Sequence, residues 1–221
     1  MFERLAPERQ REILSAAAEE FGKNGFRATS YNRLLARVGL GKGSAYYYFA
    51  DKEDLFLTVV RACYRAFFDS LTDVPRPEDA DTYWSFVETI TRRGLEFMQA
   101  DPASAALLQC FTRETATLEA LSSQQLFDEV ESYYLELVTL GQKLGAVRRD
   151  APLALLTGLA RAVSSVFDQW FIRTGVRGGR PRLRQQAALF TELSRSLLEP
   201  PARPGSRVAT RKKSRTRARR G

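Results

Sequence analysis

The chain contains no histidine. That absence removes Ser-His-Asp triads, Cys-His dyads, histidine zinc ligands and histidine general bases together. Cysteine is scarce too. Cys63 and Cys110 cannot close a four-cysteine zinc site and do not need a disulfide. No metal, cofactor or catalytic residue is therefore expected, and so few cysteines fit a reducing cytoplasm. Long hydrophobic runs are missing, so no membrane partner or span is expected. The opening segment, MFERLAPERQRE, has no apolar run and reads as no signal peptide. What remains is ordinary for a globular protein: 221 residues, 44% hydrophobic and 27% charged.

The charge is unevenly distributed along the chain. Residues 200–221 hold nine basic residues and no Asp or Glu, with Pro200, Pro201, Pro204 and Gly205 at the root. Residues 1–199 then carry 25 basic against 26 acidic residues, so the net charge of +8 sits in the tail. The tail has almost no apolar side chains and is expected to be disordered. It reads either as a solubility tail or as a cationic arm that touches phosphates without reading sequence.

The rest reads as an all-α chain. Ile13, Leu14, Ala17, Ala18 and Phe21 mark one face of a helix over 8–24, which Asn24-Gly25 ends. Arg9, Glu12, Glu19 and Glu20 fall off that face. Thr29 or Ser30 caps a second helix, 30–38, and Gly39-Leu40-Gly41 breaks it. A short third helix spans about 43–48. Asp51 caps a fourth, which runs to Leu71 with Glu53 and Asp54 in its first turn. Pro75-Arg76-Pro77 is the clearest break. Five further helices are expected at about 79–100, 102–112, 117–145, 152–174 and 182–198. Asp101-Pro102 and Asp150-Ala151-Pro152 look like helix starts, and Gly175–Pro181 reads as a loop.

Residues 29–49, TSYNRLLARVGLGKGSAYYYF, have the organisation of a helix-turn-helix. Val38 and Leu40 flank the turn. The second helix of the pair would expose Lys42, Ser44, Tyr46, Tyr47 and Tyr48, and such a helix enters the major groove N-terminus first. Gly39-Leu40-Gly41-Lys42-Gly43-Ser44 is no phosphate loop. It lacks the four-residue spacer, and no strand precedes it.

Over residues 9–57 the chain resembles the tetracycline-repressor (TetR) family of bacterial transcription regulators. The pattern runs through Arg11, Ile13, Leu14, Ala17, Ala18, Phe21, Gly25, Phe26, Thr29, Leu34, Ala36, Gly39, Lys42, Gly43, Tyr46, Phe49, Lys52, Glu53 and Leu55. The resemblance implies that Lys42, Ser44, Tyr46 and Tyr47 touch bases or phosphates. It implies that Thr29 and Lys52 touch phosphates on either side, and that Phe21 and Phe49 hold a small core. Tyr46 has core packing as its alternative, and Lys52 a solvated surface role. The sequence departs from the family at Gly41, where Ser or Thr is usual, and at Leu35 and Ala45. Tyr48 stands where His is frequent, so a backbone contact there would come from a phenol.

The resemblance divides the chain into a DNA-binding domain (1–51), a ligand-binding and dimerisation domain (52–199) and the basic tail (200–221). The second domain is rich in aromatics, which read as bundle core or as the wall of a cavity. Trp84, Phe97, Phe111, Arg113, Phe127, Tyr134, Phe167 and Trp170 are candidate ligand contacts. Arg92, Arg93, Gln109, Arg113 and Glu114 are candidate polar anchors. Gly158, Ala162 and Ser165 form a small-residue stripe, and Leu153, Leu156, Leu189, Leu193 and Leu197 supply apolar area for a homodimer. The expected function is a repressor. Its partners would be a palindromic double-stranded DNA operator and an apolar or amphipathic small molecule that releases it. A helical enzyme or carrier without specific DNA binding, and a nucleoid-type binder acting through the tail, are the alternatives.

Overall fold

Nine α-helices and one 3-10 turn at Phe2–Arg4 make up the regular structure of the described residues, among which there is no strand. The computed structural model describes residues 2–114, 121–174 and 179–201, without the side chains at 42 and 121–123. The basic tail beyond residue 201, most of the Gly175–Pro181 loop and the expected helical residues 117–120 lie outside the described residues.

The helices are α1 (Pro7–Ala28), α2 (Tyr31–Arg37), α3 (Lys42–Tyr48), α4 (Lys52–Asp69), α5 (Ala80–Ala100), α6 (Pro102–Glu114), α7 (Leu121–Leu144), α8 (Leu153–Thr174) and α9 (Arg180–Leu198). Local chemistry sets most starts. The Ser30 side chain accepts from Arg33 N, Asp51 from Asp54 N, and Asp79 forms a reciprocal capping box with Thr82. Asp101 accepts from the Ser104 amide and hydroxyl. Asp150 is not the cap that its position suggested. It pairs with Arg148, and the Pro152 carbonyl accepts the first bond of α8. Pro181 belongs to the first turn of α9 rather than to the loop before it.

One core joins the N-terminal helices to the rest. Ile13, Ala17 and Phe21 of α1, Leu34 of α2, and Phe49 meet Leu55, Phe56 and Val59 of α4 and Leu107 and Phe111 of α6. Two smaller clusters lie farther along the bundle. Tyr83, Trp84 and Val138 anchor one, and Leu95, Phe167 and Phe171 the other. Cys63 and Cys110 are buried and unbridged.

Gly22 sets the approach of α1 to α6, its most extensive partner. A Cβ at Gly22 would stand 2.9 Å from Ala106 Cβ and 3.1 Å from both Ala103 O and Leu107 N. Two of those three atoms are backbone, so they cannot rotate away. Gly22→Val is expected to destabilise the fold by about 1–3 kcal/mol, the usual cost of overpacking. Thermal denaturation of the variant beside the parent checks this, and an unchanged melting temperature would show the helix pair to be loosely packed.

Candidate nucleic-acid interface and interior cavity

The turn between α2 and α3 is tight because the Val38, Gly39 and Leu40 amides all bond back to α2 carbonyls. Gly39 takes φ +63°, which a side chain would resist. Arg9 of α1 reaches across to donate to the Val38 carbonyl. Leu34, Leu35, Val38 and Ala45 are buried beneath this turn. With its other face packed inward, α3 presents Gly43, Ser44, Tyr46 and Tyr47 to solvent.

Tyr46 and Tyr47 are 63% and 53% exposed, far more than packing aromatics. Core packing is therefore not the role of Tyr46. Tyr31 of α2 braces it edge-on at 6.5 Å between ring centroids. The Tyr31 hydroxyl is buried without a hydrogen-bond partner, and burial raises its pKa. Tyr48 is only half-buried and packs against the core, so it is a poorer candidate for contact with DNA than Tyr47. The Lys42 side chain lies outside the described residues.

Two residues expected at phosphates are placed differently. Thr29 is 2% exposed, and its hydroxyl donates to Gly25 O at 2.7 Å. It closes the end of α1, and Ser30 is the cap of α2. Lys52 turns its ammonium inward. Nζ donates to Phe26 O at 2.9 Å, Thr29 O at 3.2 Å and Arg27 O at 3.4 Å, and lies 4.5 Å from the Phe26 ring centre. The reason is the orphaned carbonyls at a helix C-terminus, which favour a cation. Three carbonyls thus face the ammonium's three donors. The solvated surface role therefore does not describe this lysine.

The break in α1 explains two further residues. Gly25 adopts φ +81°, ψ 164°, which ends the regular helix where expected, and one more turn follows to Ala28. The break frees the amides of Phe26 and Arg27. Glu114, the last residue of α6, accepts both, at 3.1 and 3.3 Å. Glu20, off the apolar face of α1, is nevertheless not in solvent. It is buried between Arg33 at 2.7 Å and Arg37 at 3.3 Å, both from α2. The Arg33 hydrogen bond, aided by Arg37, holds its carboxyl below the usual carboxylate range against the opposing cost of burial. Spacing could not reveal these partners, because they are 13, 17 and 88 residues away in the chain.

A cavity of about 270 Å³ lies among α4, α5, α6, α7, α8 and α9. Of the expected ligand contacts, Trp84, Phe97, Phe111, Phe127 and Tyr134 line it. Arg113, Phe167 and Trp170 do not. Arg113 is exposed, and Phe167 packs against Phe190 and Trp170 in the α8–α9 core. Among the expected anchors only Gln109 lines the cavity. Arg92 pairs with Glu96, Arg93 with Asp73, and Glu114 serves α1.

Asp168 was not anticipated. It is the single acid of α8, it lines the cavity, and burial pushes its carboxyl up to about 7. Its signal in the sequence is a lone acid one helical turn from Ser164 and Ile172, on the inward face. Burial likewise raises the phenols of Tyr64 and Tyr134 nearby, the second to about 12. Among the described residues no group of three or more His, Cys, Asp or Glu is placed to hold a metal, and no helix is long and apolar enough to cross a membrane.

Residues 13–59 match the family described as bacterial regulatory proteins, tetR family. The repressor AcnR of Corynebacterium diphtheriae is 38% identical over 200 residues, covering 85% of this chain and 92% of that protein. The chain belongs to the TetR family. It is an all-α helix-turn-helix regulator that binds DNA to control transcription, and members of this family are not enzymes. Solved TetR structures share the fold. A TetR regulator from Chloroflexus aurantiacus superposes with a TM-score of 0.67 at 21% identity, covering 89% of this chain and 96% of that one. FadR of Bacillus subtilis, solved with stearoyl-CoA, gives 0.67 at 15% identity, covering 84% and 97%.

An ionised carboxylate in this cavity destabilises the empty protein. The native state holds the Asp168 proton more tightly than the unfolded chain, whose ordinary value is 3.8. Stability is therefore lost as pH rises from about 4, and the whole penalty, at most about 4 kcal/mol, is present above pH 7. Asp168→Asn is expected to raise the melting temperature by several degrees at pH 8 and by little at pH 5. Equal effects at both pH values would show that Asp168 titrates normally.

Proposed function

We propose that the protein is a homodimeric repressor that binds a palindromic operator through α3 and is released by an amphipathic small molecule in the interior cavity. Residues 1–51 serve as the DNA-binding part and residues 52–199 as the ligand-binding and dimerisation part. Two recognition helices related by a two-fold axis meet two half-sites about one helical turn of DNA apart.

The observation that carries the ligand response is that the helices walling the cavity also grip α1. Ala105, Leu108 and Phe111 of α6 line the cavity, while Glu114 at its end holds the Phe26 and Arg27 amides. Tyr64 and Phe67 of α4 line it, while Lys52 at its start holds the α1 carbonyls. A ligand that spreads these walls must move both grips, and α3 moves with α1 and α2. The shift in operator affinity is limited by the ligand's differential affinity for the two arrangements. FadR, which has this fold, is seen with stearoyl-CoA. That supports an amphipathic ligand for the fold without setting its head group here.

For the dimer, α8 turns Leu155, Leu159, Ala162, Val166 and Trp170 outward at spacings of four, three, four and four. Leu189, Leu193 and Leu197 of α9 and Leu153 of α8 are exposed with them, and Val166 is 67% exposed. Contiguous apolar surface of this kind marks an interaction site. The seam differs in register from the stripe read from the sequence. Ala162 lies at its centre and Gly158 at its edge. Ser165 instead lines the cavity, and Leu156 is buried in the core.

Tyr46→Ala and Tyr47→Ala are each expected to weaken operator binding by about 1–3 kcal/mol while leaving helix content unchanged. Fluorescence anisotropy with the DNA upstream of its own gene measures this, and parental affinity in both variants would move the recognition surface elsewhere. Ala162→Glu is expected to give monomers in sedimentation and weak operator binding, since each half-site alone holds poorly. An intact dimer would take this face of α8 out of the interface.

A further inference from the structure

The cavity wall holds three charged residues, Glu131, Arg161 and Asp168. Arg161 Nε stands 3.9 Å from Glu131 Oε2, and both side chains are more than half exposed. These two answer each other at the rim. Asp168 makes no ion pair and no hydrogen bond among the described residues. Its surroundings are aromatic and neutral. Tyr64 comes from α4, Tyr133 and Tyr134 from α7, and Tyr83 from α5; the walls from α6 and α9 carry no charge. Tyr134 is already engaged with Ser164 on the same face of α8.

An unpaired carboxylate in such a site is costly, and an apolar residue there would stabilise the empty fold. No charged group among the described residues offsets it, and the compensating group is assigned to the guest. An acid in that place repels an anionic head group, and Arg161, the one cation on the wall among the described residues, is paired with Glu131. A positive group instead gains a charge-assisted bond in a low-dielectric setting. It also gains the attraction of aromatic rings for a cation. Trp84, Phe97, Phe111 and Phe127 would cover an apolar body behind that head.

We propose that the effector is an amphipathic organic cation, a protonated amine or quaternary ammonium on an apolar body, whose positive group pairs with Asp168. This rests on the cavity being the effector site. It departs from the acyl-CoA seen in FadR at the head group and agrees with it in the apolar body. Binding of a permanent cation is expected to strengthen as pH rises through the Asp168 titration. Tyr64, Tyr83, Tyr133 and Tyr134 stay neutral in that range, because burial raises all four phenols; the other charged groups on the wall are Arg161 and Glu131 at the rim.

Three probes with one chain and different heads test it: decyltrimethylammonium, decanol and decanoate, each titrated below its micellar concentration into full-length protein. Trp84, itself part of the wall, reports binding by fluorescence, with calorimetry as the second readout. The cation is expected to bind tighter than decanol and decanoate by roughly tenfold or more, the scale of one charge-assisted bond. In Asp168→Asn that preference is expected to vanish while decanol affinity is retained. Decanol or decanoate binding best, or a cation preference that survives in Asp168→Asn, overturns the head-group assignment and leaves the cavity as the effector site. No binding of any of the three overturns the assignment together with the effector site itself. The ranking in the parent protein is decisive even where the variant fails to fold.

Discussion

A run of aromatic rings joins the cavity to the DNA-binding helices, and the rest of the arrangement depends on it. Phe127 stacks on Phe111 at 4.9 Å, Phe111 meets Phe56 at 6.3 Å, and Phe56 meets Phe21 at 4.9 Å and Phe26 at 5.0 Å. The first two rings line the cavity, Phe56 belongs to α4, and the last two belong to α1. Close-packed rings transmit displacement because each has no free volume to absorb it. Here one core serves both halves of the chain. The N-terminal helices do not stand on a hinge beside the bundle; they are packed into it.

Polar contacts then settle how the end of α1 is held. The break at Gly25 exposes amides on one side and carbonyls on the other. Glu114 takes the amides and Lys52 takes the carbonyls, so α6 and α4 hold opposite poles of the same helix end. Glu20 locks α2 to α1 through Arg33 and Arg37 in the same region. Each partner is charged, so each bond is stronger than a neutral one, and losing either partner strands a part-buried charge.

Helix α8 divides two roles between its faces. Leu155, Leu159, Ala162 and Val166 face outward, whereas Ser164, Asp168 and Ile172 line the cavity. The inner face carries the one acid of the helix, at a cost in stability that a purely structural bundle would have no reason to bear. That cost is the ground for proposing a role at this position, as the exposure of Tyr46 and Tyr47 is for α3.

The helices of the described residues, the turn at Gly39, the stop at Gly25 and the family were all legible in the sequence. These rest on local rules, namely caps, glycine conformations and one apolar face per helix, which operate within a few residues. The sequence also named five of the aromatic cavity residues, because aromatics on the inward faces of a bundle have few other places to go. It did not foresee that Thr29 and Lys52 bond to the end of α1, that Phe167 and Trp170 lie off the cavity wall or that Ser165 lies on it, and it did not raise Asp168. Lys52 finds its partners only when α4 meets the end of α1, and Glu114 only when α6 meets the break at Gly25. The cavity and the outer seam on α8 differ by a rotation of the helix about its axis. Periodicity specifies the stripe but not the side on which the neighbours lie. Those assignments are long-range, and only tertiary packing decided them.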